Sequence, residues 1–319
     1  MRDDRTELSR AEDPHRRVRR CPLRRFIPQR VQEAFTLVEL LVVIAICSLI
    51  VSILLPAVAR SRALAKQTRE VIGGQQLMVA YTAYADDMRG NLMPGYTARN
   101  MVGTTGTTPK IRVLDDGNQP VAVAAAQRYP WRIAPWLNYQ IAALYDDKRL
   151  YERYKEDRSI GGQYLLSLSP SLGINSEFMG GRGDDAFSKA RLLEYGPYYA
   201  TRLDQVRRAD RQLVFVSARG VDAQTGTSQG GGGGVVSGWF ETLPPYRFEA
   251  DGRRWSSEVV EAASDVEAFG HVDPRHQTKA VCAHADGHVA SLGIRDLDDM
   301  TRWAPGAETA DWVFKKQPR

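Results

Sequence analysis

Residues 32–55 have the sequence QEAFTLVELLVVIAICSLIVSILL, a nearly uncharged run in which the carboxylate of Glu39 stands close to the start. Leu40–Leu55 are 16 consecutive residues without a charge, and Phe35–Ala59 form a run of 25 in which Glu39 alone is charged. A helix of this length rises about 37 Å, enough to cross a hydrocarbon layer of ~30 Å. The run therefore predicts a transmembrane helix over residues 35–59.

The residues ahead of this run are strongly basic. Residues 1–34 contain ten Arg against six Asp and Glu, and Pro14–Arg30 hold seven Arg and no acid. Under the positive-inside rule this flank stays in the cytoplasm, and the part of the chain that follows the helix lies across the membrane. Because residues 1–34 carry +4 of the net charge of +5, the rest of the chain has about +1. A net charge this small does not provide the basic surface that binds a phosphate backbone, so we expect no nucleic-acid partner.

Three other kinds of N-terminal segment compete with this interpretation. A secretory signal peptide needs small residues at a cleavage site after the apolar run, and Leu54-Leu55-Pro56-Ala57 does not supply them. A mitochondrial presequence is poor in acids, which Glu7, Glu12 and Asp13 contradict. A plain single-pass anchor agrees with the length of the run and remains open.

Glu39 distinguishes a plain anchor from a functional segment. A carboxylate in a membrane helix costs up to ~3 kcal/mol at the bilayer centre and less toward the interface, and such charges are usually paired and functional. Residues 34–41, AFTLVELL, resemble the type IV prepilin family, which includes the pseudopilins of type II secretion. Ala34 stands where that family usually has Gly, and the 34-residue leader is longer than most.

The resemblance implies a processing step and an assembly residue. A prepilin peptidase would cut between Ala34 and Phe35 on the cytoplasmic side, and the new N-terminal Phe35 would be methylated. Glu39 would pair with the N-terminal amine of a neighbouring subunit. Such a pairing is physically reasonable, because a buried carboxylate and a buried ammonium each lack solvation until they meet.

Four segments follow from these considerations. We expect a basic prepilin leader at residues 1–34, a transmembrane helix at 35–59, an amphipathic helical extension at 60–90 and a soluble periplasmic α+β domain at 91–319. The fold class is α+β and pilin-like: a long N-terminal transmembrane and amphipathic helix packed on a C-terminal antiparallel sheet.

Within the extension, proline and glycine predict irregularities and side-chain spacing predicts the faces. Pro56 predicts a kink, Gly73-Gly74 a bend and Gly90-Asn91 the end of the helix. An apolar stripe is expected to face the sheet: Leu64, Val71, Leu77, Met78, Tyr81, Tyr84 and Met88. Charged residues are expected on the exposed first turns: Arg60, Arg62, Lys66, Arg69 and Glu70.

The domain itself gives weaker local signals. Tyr129–Tyr154 predicts one or two helices, and Gln212–Ser217 and Val235–Phe240 predict strands. The Gly-rich stretch Thr225–Gly234 lacks the Gly-Lys-Ser/Thr ending of a phosphate-binding loop, which argues against a nucleotide site.

A second signature lies near the C-terminus. His276 is followed by nine residues and then by Asp286-Gly287. This pattern resembles the C-terminal signature of a large group of prepilin-type proteins whose specific role is unknown. Asp-Gly favours the turn of a β-hairpin, predicted here over residues 279–292. We expect His276 to make a hydrogen bond across the domain that holds this hairpin in register.

Metal binding is an alternative use of the same region. Cys282 and His284 share a strand face with His288 opposite, a set of ligand types compatible with zinc. Asp296, Asp298 and Asp299 are a weaker candidate for calcium. Spacing this loose is common by chance, so we assign no metal and no cofactor. Cys47 and Cys282 have no evident disulfide partner, and neither has Cys21 in the leader.

The sequence therefore predicts a structural protein and not an enzyme, since no catalytic constellation is evident. The expected function is that of a subunit of a type II secretion pseudopilus or a type IV pilus-like filament in the bacterial inner membrane. The expected partners are the prepilin peptidase/methyltransferase, other pilin or pseudopilin subunits and the inner-membrane assembly machinery. The alternative is a prepilin-anchored periplasmic binding or metal-binding protein that does not polymerise.

Overall fold

The structure is a computed structural model that describes residues 36–103, 111–146, 148, 151–152, 155, 157, 159–183, 185–221, 235–256 and 266–318. The predicted leader, the cleavage site at Ala34 and the methylation site at Phe35 lie outside these residues. The chain divides into two compact units, Met1–Leu55 and Pro56–Arg319.

One long helix, α1, spans Leu37–Asp87. Side chains from residue 37 to residue 55 are exposed throughout. Among the described residues α1 is the one helix long and apolar enough to cross a membrane, by its length and composition. The helix continues through Pro56 and through Gly73-Gly74.

The later part of α1 buries one side against the domain. The buried residues follow one another at spacings of one to four: Glu70, Gly73, Gly74, Leu77, Met78, Ala80, Tyr81 and Ala85. Leu64 and Met88, which the sequence placed on this side, are exposed instead. Leu64 lies ahead of the first buried turn, and Met88 follows the last helical residue.

Gly73 and Gly74 allow a close approach and do not interrupt the helix. A Cβ at Gly73 would lie 2.8 Å from the carbonyl oxygen of Ala143, whereas one at Gly74 would be 3.4 Å from side-chain atoms of Leu172 and Val289. The helix ends with two left-handed residues, Arg89 (φ 58°) and Gly90 (φ 85°). The Gly90 N–H donates to the Ala85 carbonyl at 2.7 Å, which satisfies a carbonyl at the helix terminus.

The remaining helices are short. The α-helices are Val123–Ala126, Tyr129–Ile133, Ile160–Leu168, Asp185–Tyr195 and Ile294–Leu297. The 3₁₀ helices are Arg99–Met101, Ala134–Leu137, Ile141–Leu144, Leu203–Gln205, Glu249–Asp251 and Met300–Arg302. The aromatic segment after residue 128 is thus helical in several brief pieces.

The strands, in chain order, are β1 (Tyr96–Thr97), β2 (Leu172–Asn175), β3 (Arg182–Gly183), β4 (Leu213–Ser217), β5 (Arg219–Val221), β6 (Val235–Ser237), β7 (Glu241–Thr242), β8 (Lys279–His284) and β9 (Val289–Gly293). The main sheet has the order β7-β2-β4-β8-β9, and two small sheets pair β1 with β3 and β5 with β6.

The α+β fold with a long N-terminal helix and a C-terminal sheet is confirmed, but the sheet is mixed and not wholly antiparallel. β2, β4, β8 and β9 pair antiparallel to their neighbours, while β7 runs parallel to β2. A parallel neighbour requires a long crossover. The chain between Asn175 and Glu241 supplies one, because it passes through β4, β5 and β6 before it reaches the free edge of β2.

The inner strands β4 and β8 of the main sheet are buried on both faces. In β8, Val281 and Ala283 join the hydrophobic cluster that includes Leu77 and Tyr81 of α1. Ala280 and Cys282 alternate with them and join a second cluster that includes Trp303 and Phe248. Because successive strand residues point to opposite faces, this alternation places β8 between two cores.

The glycine pair gives a matched test of the close approach. Alanine is favoured over glycine in a helix by about 1 kcal/mol. Gly74→Ala should therefore leave the free energy of unfolding unchanged or raise it, because the added methyl makes ordinary contacts. Gly73→Ala should lower it by about 1–3 kcal/mol, because the methyl meets a backbone carbonyl. Chemical denaturation of the detergent-solubilised full chain measures both, and equal stabilities would contradict the proposed approach.

Candidate functional site

The start of α1 is organised by Thr36 and Glu39. Glu39 Oε2 accepts hydrogen bonds from the Thr36 backbone N–H (2.9 Å) and hydroxyl (2.8 Å). The Glu39 N–H donates in turn to Thr36 Oγ1 at 3.2 Å. This reciprocal arrangement is a capping box, in which Thr at the N-cap and Glu three residues later satisfy backbone donors at a helix start.

The capping box occupies one oxygen of the Glu39 carboxylate. Within the described residues, Glu39 Oε1 accepts no hydrogen bond, and the side chain is exposed. A carboxylate has about four lone-pair sites, so the group retains capacity for a further donor. The sequence predicts an assembly role for Glu39. The structure shows that Glu39 also caps its own helix.

The apolar part of α1 satisfies its own polar groups. Ser48 Oγ donates to the Ile44 carbonyl and Ser52 Oγ to the Leu49 carbonyl, each at 2.7 Å. A bilayer offers no water to such groups, so a membrane-spanning segment has to pair them internally. The hydroxyl groups of Ser48 and Ser52 meet this requirement.

The predicted hairpin region consists of β8 and β9. The Gly287 N–H donates to the His284 carbonyl at 2.9 Å, and Gly287 has φ 92°, a conformation that glycine adopts without strain. Asp286 Oδ1 accepts the His288 N–H at 3.0 Å and lies 2.6 Å from His288 Nδ1. Asp286 and Gly287 of the signature therefore both shape the turn.

His276, the third signature residue, reaches α1 rather than the hairpin. Its Nε2 lies 2.5 Å from Glu70 Oε2, and both side chains are buried. Ser217 Oγ in β4 donates to Glu70 Oε1 at 2.8 Å and accepts the Val281 N–H of β8 at 2.8 Å. Glu70 thus joins α1 to β4 directly, to β8 through the Ser217 hydroxyl, and to His276, three residues ahead of β8.

The charge of Glu70 is compensated where it is buried. Burial raises the pKa of this carboxyl, but the nearby guanidinium of Arg275 and the hydrogen bonds from His276 and Ser217 outweigh that effect and hold the pKa below its ordinary value of 4.5. The carboxylate is therefore ionised at neutral pH and can only accept hydrogen bonds. It follows that His276 Nε2 carries the hydrogen and donates.

The sequence missed Glu70, which was assigned to an exposed turn but is 4% exposed. Its neighbour Arg69 is also charged, and two adjacent charged residues favour the prediction of a solvent-exposed turn. The signal that identifies Glu70 is its spacing: Gly73, Gly74 and Leu77 follow at three, four and seven residues, which places the acid on the buried face. An acid on such a face requires a buried partner.

A strained turn presents His276. His276 and Lys279 exchange two backbone hydrogen bonds of 3.0 Å each. The two residues between them, Gln277 (φ 51°) and Thr278 (φ 65°), are left-handed. A β-branched residue such as Thr rarely adopts this conformation, so the surrounding contacts have to stabilise the turn.

The Cys and His side chains of the metal alternative do not converge. Cys282 points into the second hydrophobic cluster. The rings of His284 and His288 stack at 4.0 Å with an angle of 6°, so their in-plane lone pairs run parallel. Burial and the neighbouring His288 lower the pKa of His284 to about 4. In the part of the chain that the structure describes, no group of three His, Cys, Asp or Glu is placed to hold a metal ion.

The acids considered for calcium have other partners. Asp299 Oδ2 accepts from Arg211 at 3.0 Å, and Asp298 Oδ2 accepts from Arg253 at 2.7 Å. Asp296 accepts the Gly293 N–H at 3.2 Å. Their arrangement fits surface ion pairs and a local cap.

Comparison with known proteins identifies the N-terminal segment. Residues 29–55 match the prokaryotic N-terminal methylation motif, and this range includes Ala34, Phe35 and Glu39. No curated protein and no solved structure matches the chain. The motif supports a prepilin-type protein, and together with the apolar part of α1 it supports a single membrane anchor.

The buried carboxylate predicts an acid-sensitive domain. Since its pKa is lower in the folded state, the stability that Glu70 contributes is fully present above 4.5 and is lost as the pH falls through the folded pKa. Glu70→Gln should lower the free energy of unfolding at pH 7 by about 3 kcal/mol or more, because it leaves the partners of a buried charge unpaired. It should also flatten the fall in stability below pH 4.5.

Denaturant titrations of the full chain across this pH range measure both effects. Glu308→Gln, at an exposed acid, is the control and should leave the profile unchanged. Equal profiles for the Glu70 and Glu308 variants would show that the buried contact does not stabilise the domain.

Proposed function

From the methylation motif and the helix that follows it, we propose that this protein is a structural subunit of a type II secretion pseudopilus or a type IV pilus-like filament. The motif at residues 29–55 is the observation that carries the proposal. An apolar helical segment begins directly after the proposed cut, which is the arrangement that a membrane-stored subunit needs. The basic residues 1–34 favour a cytoplasmic N-terminus and a periplasmic domain.

Processing creates the charge on which assembly depends. Hydrolysis of the peptide bond between Ala34 and Phe35 by a prepilin peptidase converts Phe35 from an internal residue into an N-terminal amine. Methylation of this amine leaves its positive charge in place. The amine then lies at the end of an apolar helix, where an isolated cation is costly.

Glu39 of a neighbouring subunit is the acceptor that fits this amine. Its Oε2 is engaged by Thr36, whereas Oε1 accepts no bond from the described residues. The helix start is therefore fixed while one oxygen remains to receive the amine. Pairing compensates two charges that are each poorly solvated in a bilayer, and it favours a stagger between adjacent helices.

The buried contact at Glu70 supports the same function. A filament subunit is held through its helix, so the domain has to be attached firmly to the later part of α1. Glu70 makes this attachment to Ser217 and His276, which lie in or next to the two central strands of the sheet. The signature His276 thus has a structural role that a polymerising protein requires.

Processing is tested by the mass of the mature chain. Co-expression with a prepilin peptidase/methyltransferase should remove residues 1–34 and add one methyl group to Phe35. Intact-mass spectrometry of the purified membrane protein measures both changes, and expression without the peptidase is the control. Ala34→Gly, which restores the residue usual in the prepilin family, should be cut at least as completely. An unshortened chain in the presence of the active peptidase contradicts the proposal.

The assembly role of Glu39 is separated from its capping role by two substitutions. Gln at this position still caps the helix but has no charge, whereas Ala does neither. Both Glu39→Gln and Glu39→Ala should insert in the membrane and reduce incorporation into sheared filaments by about tenfold or more, because the amine loses its charged acceptor.

Ser48→Ala, which removes a polar group from the same helix, should assemble normally. Quantitative immunoblotting of sheared filaments and membranes measures each variant. Normal assembly of Glu39→Gln alone would reduce Glu39 to a helix cap, and normal assembly of both variants would contradict any role of Glu39 in assembly. Absence of the unaltered chain from the sheared filaments would favour an anchored protein that does not polymerise.

A further inference from the structure

A cavity of about 450 Å³ lies beside the C-terminal turn of α1. Aromatic rings form much of its wall: Tyr84, Trp131, Trp136 and Tyr139. Its size is within the range of sites for small organic molecules. No part of this cavity belongs to the helix start or to the buried contact at Glu70.

The indole rings present apolar surface, because their polar atoms are already satisfied. Trp136 Nε1 donates to Asp87 at 2.7 Å, and Trp131 Nε1 donates to the Gln163 carbonyl at 3.0 Å. Tyr84 meets Trp136 edge to face, with ring centroids 4.9 Å apart. The walls are therefore fixed in orientation and suited to a flat ring.

The cavity is also cationic. Two arginines, Arg112 and Arg132, line it, and among the residues that the structure describes no acidic residue does. Arg132 is only 5% exposed. Burial lowers its pKa to about 10, so the guanidinium remains charged at neutral pH.

In the part of the chain that the structure describes, backbone carbonyls solvate this buried charge. Arg132 Nη2 donates to Pro94 O at 2.7 Å and to Gly95 O at 3.1 Å, and Nε donates to Arg128 O at 3.3 Å. Within the described residues Arg132 forms no ion pair with a carboxylate, and its Nη1 donates no hydrogen bond. A buried charge is ordinarily paired, so an anion bound in this cavity would compensate the charge of Arg132.

The backbone is strained where the wall is completed. Asn138 (φ 49°) and Tyr139 (φ 59°) are consecutive left-handed residues, neither of them glycine. The Tyr139 N–H donates to the Ala134 carbonyl at 2.8 Å, which holds this conformation. Strain of this kind is concentrated at binding sites, and here it places an aromatic residue against the cavity.

We propose that this cavity binds a small aromatic carboxylate, with the carboxylate at Arg132 and the ring between the aromatic walls. The N–H groups of Arg132 Nη1 remain for the carboxylate, and a hydrogen bond between two charged groups is stronger than one between neutral groups. The ring occupies the surface that the fixed indoles present. This site does not depend on filament assembly, and a subunit of either a polymerising or a non-polymerising protein can have it.

Benzoate and benzamide are a matched pair of probes, since they share a ring and differ in charge. Ligand-observed NMR titration of the full chain in detergent micelles, with empty micelles as the blank, gives the affinity of each. Benzoate should bind with a Kd on the order of 1 mM, as expected for so small a ligand. Benzamide should bind about tenfold more weakly or not at all. Equal affinities, or no benzoate binding, would overturn the proposal.

The strained pair supplies matched variants. Tyr139→Gly and Asn138→Gly both relieve a left-handed non-glycine residue, but only the first removes a ring from the cavity wall. Asn138→Gly, at an exposed residue, should unfold at or above the wild-type temperature. Tyr139→Gly gains the same relief but loses the packing of its ring against the hydrophobic core, so its unfolding temperature is measured to verify that the variant is folded. Asn138→Gly should keep the benzoate affinity, whereas Tyr139→Gly should weaken it about tenfold. Retained affinity in Tyr139→Gly would place the probe elsewhere and refute the site.

Discussion

The hydrogen bond between Glu70 and His276 joins two parts of the chain that are 206 residues apart, and the arrangement of the domain depends on it. Glu70 fixes the rotation of α1 about its axis, because only one face of the helix can place the carboxylate between Ser217 and His276. That rotation puts Gly73 against the 3₁₀ helix at residues 141–144, where no larger residue fits. The hydrophobic residues that follow on the same face then cover one side of the sheet.

The sequence predicted the fold class and the long apolar helix correctly, and it placed a hairpin where β8 and β9 pair, because each of these depends on local chemistry. A 25-residue apolar run indicates a helix that can span a membrane, and Asp-Gly indicates a hairpin turn. The contact of His276 was predicted only in kind: a hydrogen bond across the domain, but with an unknown partner. Glu70 was misplaced because its immediate neighbour is charged, and burial is a property of a face rather than of a turn. The parallel strand β7 depends on the path of a long crossover, which no local pattern specifies.

Two carboxylates of α1 lie in opposite surroundings. Glu39 stands exposed at the start of the helix, with one oxygen capping the backbone and the other open to a partner. Glu70 is buried, and Ser217 and His276 of its own chain hold it there. The first is suited to contacts between subunits and the second to contacts within one. The aromatic cavity lies at the other end of the helix, where α1 leaves the sheet, so its occupancy is independent of both.

The distance in sequence between Glu70 and His276 has a consequence for biosynthesis. Synthesis proceeds from the N-terminus, so α1 and its carboxylate exist long before the imidazole that completes their contact. Closing so long a loop costs little more entropy than closing a loop of half the length. A nascent or truncated chain that ends before His276, however, would bury an uncompensated charge if it packed its helix on the sheet. The same contact that stabilises the finished domain therefore delays docking of the helix until nearly all of the domain has emerged, and it exposes incomplete chains to proteolysis.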